Sequence, residues 1–334
     1  MVKVIGKTTF CRYVLQATLL LVMLLVGGCH PRNPPVPEKS AVKPLQVVAT
    51  FFVVADLVRQ VGGAHVRVQT LLPPEGELHT FAPTVKQMKM LQEAQAVFAL
   101  GLGAEPFLDV LLRALGDQKR VVQVAEGCFT LPADASGHHE HAHAHHHDHH
   151  HEHSHAHEHE AEDEAVDPHV WLSLQNAVQM VHNIAHALEE LDPAHAEEYQ
   201  RNASQLIAEL HQLRAELHAA SSRWTRRQFI ATHGAYRYLA EEAGLEQVAV
   251  FEPLPGVEPS ARWLRQLIDR ARAEQVQVIF AAPPASSRLV EVVAADLGVP
   301  VFLLDPLERT LTPPGESYQQ RMRRNIQTLS QAMR

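Results

Sequence analysis

The chain has 334 residues, a formal net charge of −9 at pH 7 and a hydrophobic content of 46%. An acidic balance without a basic stripe argues against nucleic-acid binding. No Gly-rich phosphate-binding motif is present, so nucleotide hydrolysis must belong to another chain. The length suggests two domains with their own cores.

The first 28 residues predict a lipoprotein signal peptide. Positive charges at Lys3, Lys7 and Arg12 precede an apolar run over residues 14–26, which is shorter than the roughly 20 residues of a membrane span. Val26-Gly27-Gly28-Cys29 then resembles a lipobox. We therefore expect an exported protein, anchored to a membrane through lipid-modified Cys29 and facing the periplasm or the cell exterior.

Residues 29–45 predict an extended tether, because prolines recur there among polar residues. Beyond Cys29 only Cys128 remains, so we expect no internal disulfide. A body of this size does not need one.

Short β-branched runs alternate with helical patterns on both sides of a long helical region, which is typical of parallel sheets. The predicted strands cover residues 46–52, 66–72, 96–101, 120–124, 228–232, 247–251, 277–281 and 300–304. The predicted helices include one starting at Pro83 and others over residues 106–115, 235–243, 259–273, 286–297 and 315–333. The predicted fold is α/β, with two lobes that each hold a four-stranded, mainly parallel sheet flanked by helices.

The region over residues 174–224 is helical in pattern almost throughout, with one break at Asp192-Pro193. Its second segment, residues 193–222, would be roughly 45 Å long and should act as a rigid strut. The predicted organisation is a first lobe over residues 46–192, a linking helix over residues 193–222 and a second lobe over residues 223–334.

A histidine-rich tract interrupts the first lobe within a loop, residues 133–165, that we expect to be disordered. Fourteen of the 24 histidines fall in this tract. They are His138, His139, His141, His143, His145, His146, His147, His149, His150, His151, His153, His155, His157 and His159. Dense imidazoles among acidic residues favour Zn²⁺, Cu²⁺ or Ni²⁺. Since nothing there fixes a geometry, we expect many weak, exchanging sites, and a linker of no consequence is the alternative interpretation.

Four residues elsewhere are candidate ligands of one specific metal site. His79 follows the second predicted strand, and His169 lies where the chain leaves the tract. His233 and Asp305 each directly follow a strand of the second half, and ligands of open parallel sheets bind at the carboxyl ends of strands. Three imidazoles and one carboxylate form a four-coordinate set that suits Zn²⁺.

The remaining histidines are weaker candidates. His182 and His186 share one helix face, but the glutamate of a zinc-protease helix is missing between them. The pattern places His195, His211 and His218 on the surface of the long helix.

Several motifs, in order, resemble the metal-specific solute-binding lipoproteins of zinc and manganese ABC importers. They are Leu71-Leu72-Pro73-Pro74 with His79, Asp167-Pro168-His169-Val170-Trp171-Leu172, Asp192-Pro193-Ala194, Thr232-His233-Gly234-Ala235-Tyr236, Glu258-Pro259-Ser260 and Leu304-Asp305-Pro306-Leu307. The resemblance runs from about residue 46 to the C-terminus. It implies two α/β lobes joined by a rigid helix, with the ion buried between them.

The resemblance also implies the ligands His79, His169, His233 and Asp305. Manganese-type relatives tend to carry glutamate at the position of His233, so the histidine favours zinc. Some zinc-type relatives draw a carboxylate from the residue before the first histidine, where this chain has Leu78; Glu77 would point elsewhere. Water or a tract histidine is the alternative to Asp305.

The function that the resemblance implies is capture of Zn²⁺ by a monomeric receptor and its delivery to an ABC permease and its ATPase. A manganese- or iron-type uptake receptor, or a zinc-binding adhesin or buffer without a permease, is the alternative. An enzyme is not expected, since no separate general base lies at a motif position.

Overall fold

The computed structural model describes residues 43–74, 76–116, 120–133, 165–252, 259–283, 288–310 and 315–334. The predicted signal peptide, Cys29, most of the tether and the histidine-rich tract lie outside these residues. Residues from Pro44 to Arg334 form one unit by their internal contacts. None of the helices in the described ranges combines the length and apolar character needed to cross a membrane.

The first lobe contains a parallel sheet with the strand order β2-β1-β3-β4. Its strands are β1 (Leu45–Ala49), β2 (Val66–Thr70), β3 (Ala96–Ala99) and β4 (Val121–Gln123). Its helices are α1 (Phe52–Gly62), α2 (Val85–Glu93) and α3 (Pro106–Leu115). The central strand β3 is buried at every position, as expected for a parallel sheet covered on both faces.

Two long helices follow the first lobe. The side chain of Ser173 caps the helix α4 (Leu174–Leu191), and α5 (Ala196–Ser221) follows a single 3₁₀ turn over Pro193–His195. At 1.5 Å per residue, α5 is about 39 Å long. Buried positions such as Ile184 of α4 and Leu206 and Leu210 of α5 belong to one apolar cluster.

The second lobe repeats the topology of the first, with the parallel strand order β6-β5-β7-β8. Its strands are β5 (Gln228–Ala231), β6 (Glu246–Val250), β7 (Ile279–Ala281) and β8 (Val301–Leu303). Its helices are α6 (Arg237–Ala243), α7 (Ala261–Ala273), α8 (Arg288–Leu297) and α9 (Tyr318–Ala332).

The main hydrophobic core is continuous across the junction between the lobes. It includes Phe98 of the first sheet, Leu210 of α5 and Phe229 and Phe280 of the second sheet. A smaller, separate core in the second lobe includes Ile279, Leu267 of α7 and Val293 of α8. Because packed cores resist deformation, the shared core opposes large movements of one lobe against the other.

A short antiparallel bridge joins the two points at which the described chain stops and resumes on either side of the tract. Pro132 pairs with Val166, the Ala133 N–H donates to the Ala165 carbonyl at 2.7 Å, and the Asp167 N–H donates to the Leu131 carbonyl at 2.9 Å. The described chain therefore stops and resumes at neighbouring points.

The predicted fold class is confirmed. The errors in the prediction lie at the ends of helices and strands. The prediction that a helix starts at Pro83 is wrong, because Thr84 and Gln87 form a capping box and α2 begins at Val85. The strand predicted to reach residue 52 ends at Ala49, since Phe52 already begins α1.

Candidate metal centre

His79 lies in the loop that follows β2. Beyond the strand, the N–H groups of Leu71 and Leu72 still donate to the carbonyls of Ala49 and Thr50, both at 2.8 Å. Leu78 is fully buried, so it anchors the loop directly before the histidine.

His169 is fixed by a neighbouring carboxylate. Its Nδ1 lies 2.7 Å from Oδ1 of Asp167, and its backbone N–H donates to the same oxygen at 3.0 Å. Because an ionised carboxylate can only accept, Nδ1 carries the proton. Once the ring has lost its second proton, it presents the lone pair of Nε2 to the centre, as metal-binding histidines commonly do.

His233 and Glu308 come from the second lobe. His233 directly precedes a 3₁₀ turn over Gly234–Tyr236 beyond β5, and Glu308 lies in the loop that follows β8. Nε2 of His233 lies 2.7 Å from Oε1 of Glu308.

The three imidazoles and Glu308 form the group of possible metal ligands within the described residues. Nε2 of His79 lies 3.3 Å from Nε2 of His169. Oε1 of Glu308 lies 3.5 Å from Nε2 of His169 and 4.0 Å from Nε2 of His79. One ligand atom from each residue lies within 4.8 Å of all the others. Ligands of a tetrahedral ion at 2.0–2.2 Å are roughly 3.3–3.6 Å apart, so these atoms are close to the spacing that one zinc ion requires.

Burial and charge set the protonation of the centre. Burial lowers the pKa of His79 to about 4, which keeps its imidazole neutral at pH 7. Burial also acts to lower the pKa of His169, but hydrogen bonds to Asp167 and Glu308 raise it to about 9. Burial would raise the pKa of Glu308, yet the adjacent His233 and His169 hold it well below its usual value. At neutral pH these shifts favour an ionised Glu308 beside a protonated His169.

A sequence model of one protein family covers almost all of the described body. The ZnuA model, described as the periplasmic component A of a zinc-uptake complex, matches residues 47–332. This chain belongs to the ZnuA family. The family and the zinc-type assignment predicted from the motifs are therefore confirmed.

Named relatives of the ZnuA family agree with this assignment. A Treponema pallidum protein named for metal binding is 30% identical over 320 residues, which cover 95% of each chain. The zinc-binding lipoprotein AdcA of Streptococcus pneumoniae is 29% identical over 300 residues, 88% of this chain and 57% of AdcA. This chain thus spans little more than half the length of AdcA. A crystal structure of ZnuA superposes with a TM-score of 0.71 and 27% identity, over 87% of this chain and 100% of that one.

The ZnuA-type body of this chain brings His79, His169 and His233 together, but it does not add Asp305. Both carboxylate oxygens of Asp305 accept hydrogen bonds from Arg321, at 2.7 Å each. Glu308, three residues later, lies beside the histidines instead. The structure thus places Glu308 beside the three histidines, whereas the guanidinium of Arg321 holds the carboxylate of the predicted ligand Asp305.

Sequence reasoning missed Glu308 because it chose the first carboxylate after the predicted strand. The signal available was a second acid in the same loop. Leu307 has a φ of 60°, a left-handed conformation that is unusual for leucine and that no sequence pattern predicts.

The other candidates lie away from the centre. Glu77 pairs with Arg309 and not with the histidines, in keeping with the expectation that it points elsewhere. His182 and His186 are exposed along a groove between α4 and α5. His211 and His218 are exposed on α5, whereas His195 is half-buried and stacks on His65, with ring centroids 3.7 Å apart.

Proposed function

We propose that this protein captures Zn²⁺ between its two lobes, with His79, His169, His233 and Glu308 as ligands, and delivers it to the permease of an ABC importer. The observation that carries the proposal is the convergence of three Nε2 atoms and one carboxylate oxygen within 4.8 Å of one another. Two of these residues come from each lobe, so the ion would lie at the junction.

The donor set favours zinc over manganese. Imidazole nitrogens suit a borderline ion such as Zn²⁺, whereas Mn²⁺ prefers carboxylate, carbonyl and water oxygens. A small, four-membered set also fits the tetrahedral preference of zinc.

The same set supports a receptor over a hydrolase. Catalytic zinc sites keep one position open for water or substrate. Here the fourth position would be filled by Glu308, whose side chain is only 4% exposed. Zinc is then cargo that is held and released, and no reaction is needed.

Delivery requires partners and a location outside the cytoplasm. Membership of the ZnuA family, described as periplasmic, and the name of AdcA as a lipoprotein support an exported receptor anchored through Cys29. In this proposal a permease and its ATPase receive the ion, the receptor acts as a monomer, and the tract from His138 to His159 raises the local zinc concentration.

Metal competition tests the site directly. The full chain should bind one equivalent of Zn²⁺ in competition with a strong chelator that keeps the histidine-rich tract free of metal. The His79→Ala/His169→Ala double variant should lose this equivalent. The His211→Ala/His218→Ala double variant removes two exposed imidazoles and should retain it.

Persistence of the tight equivalent in the His79→Ala/His169→Ala variant would contradict the assignment. Delivery of zinc is tested separately, by the growth under zinc limitation of a strain from which the gene for this protein has been deleted. The wild-type gene should restore growth and the double variant should not. If the wild-type gene and the double variant both restore growth, growth under zinc limitation does not depend on the proposed site.

A further inference from the structure

A buried ion pair holds the loop that carries Glu308. Nε and Nη2 of Arg321 in α9 donate to Oδ2 and Oδ1 of Asp305, both at 2.7 Å. Arg321 is only 1% exposed, and the paired geometry fixes the orientation of both side chains.

Arg321 also holds the far side of Glu308. Its Nη1 donates to the backbone carbonyl of Arg309 at 2.7 Å. Glu308 therefore lies on a short segment, between Asp305 and Arg309, whose two ends are attached to the same guanidinium.

The backbone within this segment is fixed as well. Asn325 accepts from the Asp305 N–H at 2.9 Å and donates to the Asp305 carbonyl at 2.8 Å. The Leu307 N–H donates to Oδ1 of Asp305 at 2.9 Å. A leucine with a φ of 60° is strained and persists only where its surroundings impose it, and the Asp305 carboxylate supplies part of that constraint.

The same loop is attached to the first lobe. The Pro306 carbonyl accepts a hydrogen bond from the indole N–H of Trp171 at 2.8 Å, and Trp171 lies two residues after His169. The guanidinium of Arg321 lies over the ring of Phe52 in α1, 4.2 Å from its centroid. The loop that carries Glu308 is thus bonded to Trp171, close in sequence to His169, and contacts Phe52 of the first lobe.

We propose that Arg321 and Asp305 are positioning residues that place the Glu308 carboxylate for zinc and bind no metal themselves. This inference rests on the proposed function, because it assumes that Glu308 gives an oxygen to the captured ion. A buried ion pair is weak evidence for stability, since apolar replacements are often neutral or stabilising. Because Arg321 is bonded to the chain on both sides of Glu308, the structure points to the positioning of Glu308 as the role of this pair.

The test uses a charge-balanced variant of the full chain, Asp305→Asn/Arg321→Gln, which removes both buried charges together. Arg323→Gln is the matched control, because Arg323 lies in the same helix and pairs with Glu216 instead. Zinc affinity is measured by chelator competition, and Co²⁺ bound in place of zinc reports the ligand geometry through its visible absorption. Circular dichroism checks the fold.

We expect the charge-balanced variant to bind zinc about 10- to 100-fold more weakly, the usual range for groups that orient a ligand, with an altered Co²⁺ spectrum. In a Glu308→Gln background the same two substitutions should cause little further loss, because residues that act through one another are not additive. Should the charge-balanced variant fail to fold, the isosteric Asp305→Asn variant decides by the same criteria.

An affinity within twofold of the Arg323→Gln control would overturn the inference, as would an equally large loss in the Glu308→Gln background. If Glu308→Gln itself leaves zinc binding unchanged, the inference fails while the histidine site stands. If the His79→Ala/His169→Ala variant retains tight binding, the proposed function itself fails.

Discussion

Asp167 accepts two hydrogen bonds from His169 through one oxygen, from the imidazole Nδ1 at 2.7 Å and from the backbone N–H at 3.0 Å. Asp167 is buried, with its second oxygen 3.7 Å from the guanidinium of Arg237. The carboxylate therefore fixes both the ring orientation and the tautomer of His169, and it leaves Nε2 free to bind a metal.

Replacing this carboxylate should weaken zinc binding. We expect Asp167→Asn to lower the zinc affinity about 10- to 100-fold, because an amide in its place no longer defines which ring nitrogen carries the proton. Chelator competition measures the change. Asp296→Asn, at an exposed pair with Arg272, is the control and should bind zinc as the wild type does.

Zinc binding at pH 7 should release the proton of His169, because this residue, with a pKa raised to about 9, must lose its proton to bind a metal. His79, with a pKa of about 4, is already neutral and should contribute none. The affinity should therefore rise with pH between 7 and 9. Calorimetry in buffers of different ionisation enthalpy counts the protons, and an enthalpy independent of the buffer would contradict this account.

Asp192 should stabilise the fold at neutral pH more than in acid. Burial acts to raise its pKa, but hydrogen bonds from His195 and Tyr199, at 2.7 and 2.8 Å, hold the pKa below its usual value. Because the pKa of Asp192 is lower in the folded state than in the unfolded state, its ionised carboxylate stabilises the fold above the ordinary aspartate pKa of about 3.9. This stabilisation is lost as the pH falls through the pKa of the folded state.

Urea denaturation of Asp192→Asn should accordingly show a lower midpoint than the wild type at pH 7 and a smaller difference at pH 3. A difference that stays constant across this range would show that ionisation of Asp192 is not the cause. Asp109→Asn, on the exposed side of α3, should leave the midpoint nearly unchanged at both values.

The core that crosses the lobe junction should be sensitive to cavities. Leu210 of α5 is fully buried, so Leu210→Ala should lower the free energy of unfolding by about 2–5 kcal/mol. Leu303 of β8 is 51% exposed, and Leu303→Ala should cost less than about 1 kcal/mol. Equal losses in the two variants, measured by urea denaturation, would be inconsistent with a continuous core.

Local signals made most of the fold predictable. Pro106 at a first helical turn and Gly116 after a last one mark α3, whose predicted and observed bounds agree. Thr84 illustrates the opposite case. Its capping box with Gln87 sets the start of α2 at Val85, beyond the predicted start at Pro83. The three histidines were predictable since each lies next to a strand end or an ordered motif.

Glu308 was harder to find because its position depends on a distant part of the chain. The pairing of Asp305 with Arg321, which lies in the first turn of α9, links residues 16 apart in the sequence. No periodicity or turn rule connects them, and the strand-end rule pointed to the nearer acid. Placing a carboxylate beside the three histidines needed the tertiary structure.

The bridge between Pro132 and Val166 separates changes in the segment between these two residues from changes in the positions of Asp167 and His169. Since both ends of the intervening segment are fixed beside each other, residues can be added to it or removed without shifting Asp167 or His169. Changes in the number of residues between these two points should therefore leave the spacing of the three imidazoles and Glu308 unchanged.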